Sequence, residues 1–232
     1  MGAGLLSALL LIFLYDRVLE RQSQEADERR NLVAAEQLIA PLRSHMYGIL
    51  FPMYRSAAEN TPVENIDSWQ DFLTKYFPYE LKNLDIAKPS PGSFPTGTPY
   101  PRFITESFSR FTNDIQSWLN KYGGVVSSEL VDALERLRSG GLMMLACNLD
   151  QFINFVPPPP FPQNIDWSRA FRFQEAQCVE YGLQLSKVID LVNQSFGRPI
   201  SVFEDQYWRN TSFPIGHARR QISHPNELSG SG

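Results

Sequence analysis

The chain has 232 residues, a formal charge of −4, 43% hydrophobic and 20% charged residues, 17 Pro and only 2 Cys. That is enough for one domain with a core, and too apolar for a disordered chain. A mildly acidic balance with no Lys/Arg block argues against nucleic acid as a partner, and two Cys exclude a disulfide scaffold and every four-Cys zinc module.

The first feature is an uncharged run, Gly2–Tyr15, whose apolar body is Leu5, Leu6, Leu9, Leu10, Leu11, Ile12, Phe13, Leu14 and Tyr15. About 14 residues at ~1.5 Å each reach two thirds of a ~30 Å hydrocarbon core. A cleaved signal peptide would carry a basic start and small residues at its end, and neither is present. An in-plane interfacial helix would carry a polar stripe, which is missing. A helix buried in a protein core and a membrane anchor both fit an all-round apolar surface, and the anchor is the favoured expectation. The shortfall in length is met by local thinning of the bilayer or by further chain before Met1. Tyr15 supplies an interfacial aromatic, and Arg17 and Arg21 supply snorkelling cations. With Arg29 and Arg30 also on the C-terminal flank and no base before the run, the positive-inside rule expects a single-pass protein with its body in the cytoplasm. Reduced Cys147 and Cys178 suit that compartment.

Residues 17–31 read as a polar helical stalk with a Glu25/Arg29 pair. Apolar residues then return at steps of three and four: Leu32, Ala35, Ile39, Leu42, Met46, Ile49 and Met53. This spacing is a heptad seam, which serves either as one helix of an ordinary bundle or as a contact for a protein partner or a second copy through residues 32–53. Pro41 and Pro52 are expected to kink the helix or remove a hydrogen bond.

Trp69–Phe77 is predicted as a short helix, capped by Asp67 or Ser68 and stopped by Pro78. A Pro-rich loop follows over 88–102, where Phe94 and Tyr100 are candidates to pin it down. The next helix, Phe103–Tyr122, carries Ile104, Phe108, Phe111, Ile115, Trp118, Leu119 and Tyr122 on one face and ends at Gly123. A helix capped by Ser127 or Ser128 is expected to run to Val156, with Gly140-Gly141 marking either a kink or close helix packing. PPPPFP at 157–162 is a rigid connector. Asp166 is read as the cap of a last helix reaching Phe196, with Phe171, Cys178, Gly182, Leu185, Ile189, Val192 and Phe196 in its stripe. Ile200–Phe203 is the one β-like fragment, and residues 201–232 read as a partly disordered tail.

The pattern therefore predicts an all-α protein: an anchor (1–16), a stalk (17–31), and a bundle of about four amphipathic helices (32–200) with Pro-rich connectors. The catalytic inventory is empty. His45, His217 and His224 have no Cys or second His at helical spacing, and no HExxH, CxxC, GxxxxGK[ST], GxGxxG or GxSxG occurs. No cofactor or metal site is expected, and His45 reads as a flank of the seam. The function expected is a membrane-anchored interaction, scaffold or sensory module. Two alternatives stand beside it. One is a small-molecule pocket made by Met143, Met144, Phe152, Phe171, Phe173 and Tyr181 under the loop 88–102. The other is an enzyme whose site is assembled across helices.

Overall fold

A computed structural model describes residues 2–58, 66–88, 98–155 and 166–196, with side chains from Phe13 onward. The loop 89–97, PPPPFP, Ile200–Phe203, His217, His224 and the tail 201–232 lie outside the described residues. Among the described residues the chain is mostly helical, with no strand.

The first helix, α1, runs unbroken over Gly2–His45 and passes through Pro41. Every residue from Phe13 to Arg30 is exposed, and packing begins at Ala34. The solitary part is held locally: Arg21 pairs with Glu25 at 3.3 Å and Arg30 with Asp27 at 3.5 Å. Glu25 thus serves Arg21, one turn earlier, where Arg29 was the expected partner. Such exposed pairs contribute only a few tenths of a kcal/mol each, about what a solvated helix gains from them.

Beyond Ala34 the apolar stripe is rotated from the expected seam. Ala35, Leu42, Met46, Ile49 and Met53 are buried, but so are Ala34, Leu38, His45 and Leu50, while Leu32 is exposed and Ile39 only half-buried. The face packs on this chain's own helices.

After His45 the helix widens into one π turn, Met46–Leu50, then continues as α2, Phe51–Ala57. The same device recurs where Pro78 was expected to stop a helix. Ser68 caps α3, Trp69–Asp71, by accepting the Asp71 N–H at 3.0 Å. A second π turn, Phe72–Tyr76, leads into α4, Phe77–Glu80, and a 3₁₀ turn ends at Asn83. In both places the wide turn closes with the N–H of the phenylalanine of a Phe-Pro pair, Phe51 to the Met46 carbonyl and Phe77 to the Phe72 carbonyl. Proline has no N–H, and its ring would strike the carbonyl four residues back. Widening the preceding turn moves that carbonyl aside, so the helix survives its proline. The two devices pack together: Phe51, Tyr54, Phe72 and Phe77 are fully buried, with ring centroids of Phe51 and Phe72 at 5.7 Å and of Tyr54 and Phe72 at 5.4 Å.

Helix α5, Tyr100–Tyr122, starts three residues before the expected Phe103, because Pro99 and Pro101 suit a helix entry. The expected face is buried except for Tyr122, which is half-buried. The long helix expected over 128–156 is two helices, α6, Ser128–Ser139, and α7, Gly141–Asn154. Gly140 is extended (φ −65°, ψ 153°) and caps both. Two consecutive glycines lose up to ~2 kcal/mol as helix interior, and breaking there spares that cost. Asp166 caps a turn rather than a helix, accepting the Ser168 N–H at 2.9 Å. Phe171 is buried in that turned segment, and α8 begins only at Glu175, ending at Ser195.

Helix α5 packs on α7, α6 on α8, and α1 on both α5 and α8. Helix α8 also lies along the second wide turn and α4. That contact sets the identity of Gly182, because a Cβ there would fall inside the Leu73 carbonyl oxygen. The obstacle is backbone, so no side chain can swing away. Gly182→Ala is expected to destabilise the protein by about 2–4 kcal/mol in urea unfolding, against a gain expected of alanine in an open helix. A neutral or stabilising effect would refute this contact.

Candidate functional site

Among the described residues no cluster of three or more His, Cys, Asp or Glu side chains is placed to hold a metal ion. Polar chemistry in the core centres on one residue. His45, at the end of α1, is 1% exposed. Its ring stacks on Phe111 at 3.8 Å and 6°, meets Phe108 edge-on at 5.0 Å, and shares a hydrogen bond between Nε2 and the Tyr181 hydroxyl of α8. Its Nδ1 is buried without a partner. Burial pushes the ring's pKa from 6.5 to about 3, and it pushes the Tyr181 phenol well above its ordinary value. Both groups are therefore neutral near pH 7. The expectation that His45 merely flanks the seam is corrected: it lies in the core where α1, α5 and α8 meet. Its solvation cost is offset by a partner 136 residues away, a pairing that local spacing does not reveal.

A second polar tie fixes α1 lower down, where the Trp118 indole N–H donates to the Ala34 carbonyl at 2.8 Å. Cys178 is buried, with its thiol pushed up to about 12 by burial, and Cys147 is half-buried with Thr112 Oγ1 at 3.6 Å. Both are free thiols on the packed helices α7 and α8.

The six candidate pocket residues separate. Met143, Phe171 and Tyr181 are core residues, whereas Met144, Phe152 and Phe173 are exposed. Phe152 stacks on Trp167 at 6.2 Å, and Arg172 lies over the Phe173 ring at 5.7 Å. Neither of two shallow surface grooves includes any of the six. One, of about 570 Å³, lies on the outer face of α1 and its wide turn around Ala40, between Glu36 and Arg43. The other, of about 550 Å³, lies on α8 around Val179 and Leu183.

At the projecting end, Phe13, Leu14 and Tyr15 are more than half exposed, with Arg17 over the Phe13 ring at 5.4 Å. Arg17 and Arg21 stand free of the bundle. Side chains of Leu5, Leu6, Leu9, Leu10, Leu11 and Ile12 lie outside the described residues. Among the described residues no helix is long and apolar enough to cross a membrane.

No protein-family model matches the chain, and no curated protein or solved structure matches it.

Removing either partner of the central hydrogen bond strands the other in a dry core. Tyr181→Phe and His45→Phe are each expected to cost about 1–3 kcal/mol, whereas the double variant costs less than their sum by about 1 kcal/mol or more. Simple additivity in denaturant unfolding would mean that the two side chains do not interact.

Proposed function

We propose that the protein is tethered to a membrane by its N-terminal run and presents a helical bundle at the cytoplasmic surface as a non-enzymatic interaction, scaffold or sensory module. The observation that carries this reading is the detachment of α1. The helix bearing the uncharged run leaves the bundle at Ala34, and from Phe13 to Arg30 it touches none of it. An apolar run at the far end of a solvated rod needs a cover from outside, and a lipid surface suits a run apolar on every side. The charges begin where such a surface would end: Asp16, Arg17, Glu20 and Arg21 follow Tyr15 at once. Arg17, Arg21, Arg29 and Arg30 on the C-terminal flank support a cytoplasmic bundle. The run reaches about two thirds of a hydrocarbon core, which thinning or snorkelling can accommodate at fractions of a kcal/mol per Å.

The full chain is expected to sediment with membranes and to be released by detergent but not by high salt or alkaline carbonate. Topology reporters after residue 58 and at the C-terminus should both report the cytoplasmic side. Replacing Leu9 and Ile12 with Glu should move the protein to the supernatant. Release by salt alone would overturn the tether.

A further inference from the structure

We propose that His45 is an acid-operated latch: protonation of its ring disengages α1 from α5 and α8, while the α5–α7 and α6–α8 pairs stay together.

The ring has no room for a charge. Its Nε2 is already committed to Tyr181, its Nδ1 is buried without a hydrogen-bond partner, and the ring is stacked on Phe111 and in T-shaped contact with Phe108. Among the described residues no carboxylate acts on it. Helix α8 presents Tyr181 and, one turn earlier, Cys178, both buried. Helix α7 contributes Cys147, which acts on Tyr181. The charged residues of α5 nearest in sequence, Arg110 and Asp114, lie on its exposed side, as does Arg43 on α1. A proton on Nδ1 would add both a charge and an unpaired donor. Stacking on Phe111 as a cation–π contact returns less than is lost by desolvating an imidazolium.

The fold also says which contact yields. Helix α5 is tied to α7 through the Thr105 hydroxyl, which donates to the Ala146 carbonyl at 3.2 Å and accepts from the Asp150 N–H at 3.0 Å; none of these groups titrates. Helix α6 reaches α8 through apolar packing and a solvent-exposed Glu129–Lys187 pair at 2.9 Å, whose loss costs little. Between Phe13 and Arg30 helix α1 has no buried residue to retain it, its polar tie below the ring is the single Trp118–Ala34 hydrogen bond, and it meets a ready hinge just beyond His45. There the backbone already departs from the α ladder in the turn Met46–Leu50.

The ring binds its proton more weakly when packed than when open, so the latch is fully engaged above pH 6.5. It weakens as pH falls from 6.5 toward 3. Hydrogen exchange of the full-length chain, corrected for intrinsic rates, reads this directly. Protection over Ala34–Leu50 should fall on the order of twenty-fold between pH 7 and pH 5, with that of α6 and α7 retained. His45→Gln keeps a neutral partner for Tyr181 and should abolish the pH dependence. The doubly apolar His45→Phe/Tyr181→Phe chain should do so as well, and it serves if the glutamine variant fails to fold. Tyr181→Phe retains the ring and should remain acid-sensitive. The latch is overturned if protection over Ala34–Leu50 does not change with pH, if the loss persists without His45, or if every helix opens together.

Discussion

The packing of this bundle turns on one crossing, where an imidazole is enclosed by three helices and has a single partner. Apolar stripes are permissive: Leu38, Leu42, Met46 and Ile49 could slide one turn against α5 and α8 and still bury similar area. A buried ring that must meet one hydroxyl is not permissive. Sliding α1 by a turn would leave both His45 Nε2 and the Tyr181 hydroxyl unpaired in a dry site, a penalty that apolar contacts would not recover. The next residue along α8 adds a second constraint of a different kind. Tyr181 faces α1, and Gly182 admits the carbonyl of Leu73 in the second wide turn. Helix α8 is thereby fixed on two sides at consecutive positions, by a hydrogen bond on one and by lack of volume on the other.

The prolines serve that arrangement in a way their usual role as helix breakers conceals. The Phe51-Pro52 and Phe77-Pro78 pairs lie inside helical segments, each preceded by a turn one residue wider than an α turn. With the backbone still hydrogen-bonded through the wide turns, Phe51 packs on Phe72. The aromatic cluster that results fills the region between α2 and α4.

Legibility in the sequence divided along the same physical lines. Helix α5 could be read almost residue by residue, because large apolar groups recur with one period and Gly123 marks the end. The α1 stripe was legible in spacing but not in phase, because small Ala34 and polar His45 do not look like core residues while Leu32 and Ile39 do. The break at Gly140 was visible as a weak point, yet kink and full break have the same local signature, and tertiary contacts decide between them. Pro78 looked like a stop because a single-proline rule contains no term for the turn before it. The late start of α8 was hidden by residues 167–174, which have the composition of a helix but are held in turns by burial of Phe171 and by the Ile86 N–H donating to the Ser168 carbonyl at 2.8 Å. His45 was the largest omission: a lone histidine carries no motif, and its environment comes from residues 63, 66 and 136 positions away.

Helix α1 has one further property, which follows from its continuity. From Tyr15 to His45 there is no loop and no turn of a different pitch, about 45 Å of α-helix. A rod of this kind conserves angular phase. Each residue contributes 100° of rotation, so the azimuth of the aromatic tip is geared to that of the imidazole thirty residues on. Torque applied at one end meets one missing ladder hydrogen bond, at Pro41, and no change of pitch before Met46. The protein is thus built less like a weight on a string than like a key on its shaft, with the first change of helical pitch placed just past the tooth.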